Sequence, residues 1–253
     1  MGAKAQAVVA PPLQQTTAAE GIAPAADLRV GLLGKFELTS NGESVELPMS
    51  AQRLLALLAL KDRQLPRAVV AGQLWSEATE DQSQSSLRSA LWRLHRSGHV
   101  LIDVLPGVLR LADAVVVDTH EVVLTTRALI EEHPHVDPNL DPGTLTRALL
   151  PGWYEDWVVI ERERLRQLCL HGLEALARRL VDRRSYARAI EVSLATIGCE
   201  PLRESAHRVL IQAHLNEGNR SEAIRQYRRF ADLLRDELGI EPSPSLGELI
   251  RFA

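Results

Sequence analysis

The spacing of apolar residues changes at Asp118, and this change limits the folds open to the chain. Before Asp118, segments that alternate every two residues, as strands do, are interleaved with helical segments. After it, only the three-to-four-residue spacing of amphipathic helices is found. We therefore predict an α+β domain over residues 27–117, followed by an all-α domain over residues 118–253.

Residues 1–26 fit neither pattern, because they are rich in Ala, Pro, Gln and Thr and nearly uncharged. Such a segment buries too little apolar surface to offset the entropy lost on ordering, so we predict a disordered tail. The tail lacks the apolar core of a secretory signal. No segment of the chain approaches the roughly 18 apolar residues of a membrane span. With only two cysteines, we expect a cytoplasmic protein that has no membrane partner.

The sequence contains none of the short motifs that mark common enzyme sites. The P-loop, the GxSxG nucleophile elbow and the HExxH zinc helix are all missing. His133, His135 and Asp137 are close in sequence, but they lie in a proline-broken segment that a polar linker explains better. We predict that the protein is not an enzyme and uses no cofactor or metal.

The order of elements in residues 27–117 predicts a winged helix-turn-helix. Alternation from Leu28 to Leu38 with a shift at Gly34 predicts a strand with a bulge, and Asn41-Gly42 predicts a hairpin turn. Three helices are predicted next, over residues 50–61, 66–75 and 82–97. A hairpin over residues 100–111 and a strand over 115–117 close the domain. The alternative is a small α+β domain without a DNA-binding role.

The third predicted helix separates apolar residues from basic ones. Leu87, Ala90, Leu91 and Leu94 form one apolar face, and no carboxylate lies between residues 82 and 98. The formal net charge is −4 and neither domain is net basic, so any nucleic-acid footprint must be local. Arginine offers paired donors to guanine edges and phosphates. We predict DNA contacts from Ser85, Arg88, Ser89, Trp92, Arg93 and Arg96.

Arg67 and Arg110 are further candidate contacts, and open alternatives exist for Arg110 and Trp92. Arg67 lies at the start of the second helix, where a helix N-terminus can meet a phosphate. Arg110 follows the wing turn, where a phosphate or minor-groove contact competes with plain exposure to solvent. For Trp92, packing against the wing is favoured over contact with a base.

The helical half contains an internal repeat. Ala189-Ile190 aligns with Ala223-Ile224 at a distance of 34 residues, which is the period of tetratricopeptide repeats. Small residues at this position suit a close helix crossing, and Pro201 follows the first copy. We predict a tetratricopeptide-like domain, with a generic helical bundle as the alternative.

Two sets of segments resemble a known family. The first domain contains RVGLLGKFEL, QRLLALLAL, VVAGQLW and LRSALWRLHR, and the second contains GWYEDWVVIERERLRQL and DELGIEPSP. These segments resemble the Streptomyces antibiotic regulatory protein (SARP) family, over about residues 28–252. The resemblance implies a winged helix of the OmpR type, followed by a bacterial transcriptional activation domain.

The resemblance also implies a function and partners. Family members activate secondary-metabolite gene clusters, bind direct repeats at promoter −35 regions as side-by-side protomers, and recruit RNA polymerase through the principal sigma factor and the C-terminal domain of the polymerase α subunit. By position, the third helix is expected to enter the major groove. The acidic connector 76–81, with Glu77, Glu80 and Asp81, is expected to face the polymerase. A nucleoid-associated cytoplasmic activator is the resulting prediction. A protein-interaction scaffold and a ligand-gated regulator are the alternatives.

Overall fold

A computed structural model describes residues 27–61, 64–134, 136–137 and 139–251 of the chain. The predicted disordered tail, residues 1–26, lies outside the described residues. Secondary structure changes type where the sequence predicts it, because the last strand ends at Val117 and the next helix begins at Asp118.

The chain opens with three short strands, β1 (Leu28–Gly31), β2 (Glu37–Ser40) and β3 (Glu43–Ser44), which pair antiparallel in that order. The prediction of one bulged strand across Gly34 was wrong. Gly34 has φ +87°, and the chain reverses there so that the two halves of the predicted strand pair with each other. The Asn41-Gly42 turn was predicted correctly, since both residues have positive φ.

Three helices follow: α1 (Met49–Lys61), α2 (Arg67–Leu74) and α3 (Glu80–His95). A two-residue strand, β4 (Leu65–Pro66), precedes α2. Ser50 lies inside α1 and not at its cap, because the Pro48 carbonyl accepts the amides of Ala51 and Gln52. Leu54, Leu57 and Leu58 are fully buried and place α1 at the centre of the domain.

The wing consists of β5 (Ile102–Leu105) and β6 (Val108–Leu111), joined by Pro106 and Gly107. Strand β6 also pairs with β4, which gives a three-stranded sheet in the order β4-β6-β5. The final strand, β7 (Val115–Val117), returns to pair with β1 in parallel. The first sheet therefore has the order β3-β2-β1-β7.

Helices and the loops between them form the rest of the described chain, and an isolated bridge joins Leu149 to Leu33. The helices are α4 (Asp118–Ile130), α5 (Gly143–Thr146), α6 (Asp156–Asp182), α7 (Tyr186–Cys199), α8 (Glu204–Glu217), α9 (Arg220–Leu238) and α10 (Pro244–Arg251). The structure confirms the long helices that periodicity predicts and adds the short α5.

The repeat is visible in this packing. Helices α6, α7, α8 and α9 each pack on the next. The first residues of α7 and α9, Tyr186 and Arg220, are separated by the period of the repeat, and Ala189 and Ala223 are completely buried.

The two parts of the chain share one core. Leu149, Leu150, Trp157 and Val158 from the helical part pack into the same cluster as the residues that surround α1. Main-chain hydrogen bonds reinforce the contact, because Gly34 N donates to Ala148 O at 2.8 Å and Leu150 N donates to Leu32 O at 2.8 Å. The parts are thus distinct in secondary structure but continuous in packing.

Charged groups also cross between the two parts. The Asp118 carboxylate accepts the amides of Leu32 and Leu33 at 2.9–3.0 Å. Arg53 of α1 pairs with Glu155 at 2.8 Å, next to the N-terminus of α6. These contacts hold the winged part against the helical part from several directions.

Candidate nucleic-acid interface

Helix α3 presents one buried face and one exposed face. Ser83, Leu87, Ala90 and Leu94 are buried against the domain. All six residues predicted to contact DNA from this helix are exposed: Ser85, Arg88, Ser89, Trp92, Arg93 and Arg96. The helical spacing of five of them, with Arg93 at the margin, gives one continuous outward surface.

The start of α3 differs from the prediction. The Thr79 hydroxyl accepts the amide of Gln82, and the Gln82 side chain accepts the amide of Thr79. This capping box starts the helix at Glu80. Glu80 and Asp81, predicted as connector, therefore form the first turn of α3, where carboxylates favour the positive end of the helix dipole. Glu77 remains in the connector, and all three side chains are exposed.

Trp92 does not pack against the wing, so the favoured sequence interpretation was wrong. Its side chain is 57% exposed. The Arg96 guanidinium carbon lies 4.8 Å from the centre of the Trp92 ring, which is a cation–π contact. The pair forms a flat, cationic and aromatic surface one turn before the end of α3.

Arg93 is held by another helix. Its Nη1 donates to Ser50 Oγ at 2.9 Å, so the side chain extends from α3 towards the first turn of α1. From the sequence, the Arg93 guanidinium was predicted to bind phosphates or base edges. In the structure the guanidinium joins the two helices and has donors left for a further contact.

The arginine of the wing, Arg110, is paired with carboxylates, which was not predicted. Arg110 donates to Asp103 at 2.9 Å and to Asp113 at 3.0 Å. These two carboxylates raise the pKa of Arg110. The predicted phosphate contact therefore lacks a free cation. The sequence contains a signal for this pairing, because a two-residue turn at Pro106-Gly107 places Asp103 opposite Arg110.

The exposure of two apolar residues of the wing was not predicted from the sequence. Val104 and Leu105 are exposed on β5, next to the turn. Arg67 lies beside this turn, since its amide donates to Gly107 O at 3.0 Å and its side chain is half-buried. The wing tip is thus apolar, with Arg67 beside its turn.

Comparison with known proteins identifies similar regulators. Residues 143–251 match the family model described as the bacterial transcriptional activator domain. The regulatory protein AfsR of Streptomyces coelicolor is 29% identical over 241 residues, which cover 88% of this chain and 24% of AfsR. Both matches support the resemblance of the chain to regulators of the SARP family. AfsR of Streptomyces griseus is 32% identical over 102 residues, which cover 40% of this chain and 10% of that protein.

A solved structure shows the same fold as this chain. Mycobacterium tuberculosis EmbR, in complex with a low-affinity phosphopeptide, superposes with a TM-score of 0.71 and 22% identity, over 89% of this chain and 64% of EmbR. The likeness confirms the predicted fold class, a winged helix followed by a helical domain. The chain spans only 24% and 10% of the length of these two curated relatives.

The motif DELGIEPSP lies inside the region that matches the bacterial transcriptional activator domain and has a structural role there. Ser243 donates its hydroxyl to Glu204, and its amide donates to Glu204 Oε2 at 2.9 Å. Arg208 donates to Ser245 Oγ at 2.9 Å. The motif thus anchors the start of α10 to α8. None of the described helices could cross a membrane, and no metal-binding cluster occurs among the described side chains.

Proposed function

We propose that the chain is a DNA-binding transcription activator. It binds direct repeats at promoter −35 regions as side-by-side protomers and recruits RNA polymerase through the principal sigma factor and the C-terminal domain of the polymerase α subunit. Its targets are antibiotic biosynthesis genes, and it acts in the cytoplasm on the nucleoid. The mechanism is recruitment and not catalysis, in keeping with the regulatory relatives.

One observation carries the proposal: the exposed face of α3 is cationic and aromatic. Arg88 and Arg96 form no ion pair with any described residue, and both are exposed. A helix fits the major groove of B-DNA, where arginine can bind guanine in a bidentate manner. Ser85, Ser89 and Trp92 complete the surface with hydroxyl groups and a ring.

The other predicted residues have supporting roles in this proposal. Arg93 holds α3 against α1 and offers its remaining donors to a phosphate. Arg67 approaches the DNA backbone from its position beside the wing turn. Arg110 orders the wing through its two carboxylates and makes no primary DNA contact. Glu77, Glu80 and Asp81 form an acidic surface for the polymerase, at the end of α3 opposite Trp92.

The test is a binding titration with promoter fragments of the source genome, together with footprinting. Arg88→Gln and Arg96→Gln are each expected to weaken specific binding by about 1–3 kcal/mol, because each removes a base or phosphate contact. Arg229→Gln is the matched control, since Arg229 is an exposed arginine on α9. Unchanged affinity in both α3 variants, with folding intact, would falsify the role of α3.

A second candidate is a protein-interaction scaffold in which the winged helix binds protein. The exposed apolar wing tip, Val104 and Leu105, favours it. Salt separates the two candidates, because binding through several phosphates weakens steeply as salt rises. A partner complex that survives high salt and needs Val104 would favour the scaffold.

A further inference from the structure

A cleft lies where the end of α1 meets α4 and α6. Its volume is about 670 Å³, within the range of about 300–1,000 Å³ that is typical of small-molecule sites. Leu60 and Lys61 of the winged part form one side, and residues of α4 and α6 together with Leu149 form the rest. The cleft therefore opens at the junction of the two parts and is separate from the exposed face of α3.

The walls of the cleft are largely aliphatic. Leu60, Val123, Leu124, Leu165 and Leu168 line it. The side chain of Leu124 is 67% exposed, although it is one of the larger aliphatic residues of α4. An apolar ligand body would cover this surface and remove it from water.

The charged groups of the cleft are mostly cationic. Among the described lining residues, Lys61, Arg127 and Arg164 are the lysine and arginines and Glu161 is the one carboxylate. Lys61 and Glu161 neutralise each other at 2.8 Å, and both are mostly buried. Arg164 is 3.7 Å from the same carboxylate and largely exposed. Arg127 forms no ion pair with any described residue, so the cleft has a cationic excess beside its aliphatic walls.

One buried polar group of the cleft has no partner. Thr119 is 3% exposed and lines the cleft, and its Oγ1 forms no hydrogen bond with any described residue. Buried hydroxyl groups in folded proteins nearly always have a partner. A ligand oxygen in the cleft would supply one.

We propose that this cleft binds a small organic anion with an apolar body, such as an aromatic or aliphatic carboxylate. Arg127 and Arg164 pair with the anionic group, the leucines pack on the apolar body, and Thr119 Oγ1 donates to a ligand oxygen. Because the cleft is bounded by both parts of the chain, the bound anion stabilises their mutual packing. The site is independent of the proposed DNA binding and can be tested without DNA.

The experiment is calorimetric titration of the full chain with 2-naphthoate and with decanoate. Their neutral counterparts, 2-naphthalenemethanol and decanol, are titrated in parallel. Each carboxylate is expected to bind at least about tenfold more tightly than its alcohol, as charge-assisted hydrogen bonds require. No binding by either carboxylate at about 1 mM, or equal affinity of acid and alcohol, would overturn the proposal.

Variants locate the site. Arg127→Gln and Arg164→Gln are expected to weaken carboxylate binding about tenfold while leaving alcohol binding unchanged. Leu168→Trp fills the cleft and is expected to abolish binding of both. Arg229→Gln is again the control, since it changes the same charge far from the cleft. Carboxylate binding that is unaffected by the two arginine variants and by Leu168→Trp would place the ligand elsewhere and refute the assignment.

Thr119→Val provides a second, independent readout. Because Oγ1 has no partner in the free protein, the variant is expected to keep or raise the melting temperature while it weakens carboxylate binding. A lower melting temperature with unchanged affinity would mean that the hydroxyl serves the fold, and would remove Thr119 from the proposed site.

Discussion

His207 is a buried side chain whose hydrogen bonds define its charge state. Its Nε2 donates to Pro201 O at 2.9 Å, and its Nδ1 accepts from the Gln226 amide at 2.8 Å. The ring stacks on Phe230 with centroids 4.0 Å apart. Burial lowers the pKa of His207, an effect that the Pro201 hydrogen bond and nearby Glu204 only partly oppose. The folded protein therefore holds this ring neutral.

This state predicts a pH dependence of stability. Below the ordinary histidine pKa of about 6.5, the unfolded chain takes up the proton more readily than the folded one, so the free energy of unfolding should fall as pH decreases. Urea denaturation at about pH 7.5 and about pH 5.5 measures this slope. His207→Asn is expected to flatten the slope, and His95→Asn, at an exposed histidine, to leave it unchanged. A wild-type slope in His207→Asn would assign the effect to other groups.

Individual site residues show what sequence can predict at this scale. The exposure of Arg88 and Arg96 follows from helical spacing alone. The pairing of Arg110 with Asp103 also follows from the sequence, once the two-residue turn sets the register of the hairpin. The positions of Trp92 and Arg93 do not, because they depend on which neighbouring element lies within reach of each side chain.

At the scale of elements, the crossing of α4 and α6 depends on Gly172. A Cβ at this position would lie 2.5 Å from Thr126 Cγ2. Gly172→Ala should therefore destabilise the protein by about 1–3 kcal/mol through overpacking. Thr126→Ser should restore most of this loss, since serine lacks the methyl group but keeps a hydroxyl for the Val122 carbonyl. Thermal denaturation of the single and double variants measures both effects, and additive losses would exclude the proposed clash.

The helices were predictable as elements because each is long and strongly amphipathic. The short strands were less predictable than the helices. Alternation continues through Gly34, and only its positive φ and the antiparallel register show that the chain turns there. The start of α3 was missed for a different reason: the capping box of Thr79 and Gln82 is a recognisable motif, but the acidic composition of residues 76–81 favoured a connector.

At the scale of the whole molecule, the shared core predicts cooperative unfolding of both parts. Trp157 of α6 is buried in the cluster that surrounds α1. Trp157→Ala should lower the free energy of unfolding by about 3–5 kcal/mol and reduce hydrogen-exchange protection in β1 as well as in α6. Trp92→Ala is the matched control, since that ring is exposed. Loss of protection confined to α6 would show that the two parts unfold separately.

The shared core was not predictable from local pattern. The sequence marks residues 117 and 118 as a boundary because the spacing of apolar residues changes there, and secondary structure follows that change. Packing does not follow the change, because contacts cross the boundary. Leu33 pairs with Leu149, and Trp153 stacks on Phe36 with ring centroids 6.1 Å apart. Such contacts join residues far apart in the chain, and periodicity carries no information about them.

The main-chain hydrogen bonds that join Leu32 and Gly34 to residues 148–150 make the junction stiff and not a hinge. For a chain bound to DNA through α3, the helical domain would then be held at one fixed azimuth around the double helix. B-DNA completes a turn in about 10.5 base pairs, so adjacent copies would point their helical domains in the same direction only at whole-turn spacings. The helical repeat of the DNA would therefore determine which spacings between adjacent copies allow assembly. The backbone hydrogen bonds at the junction would determine how far a spacing can deviate from a whole turn.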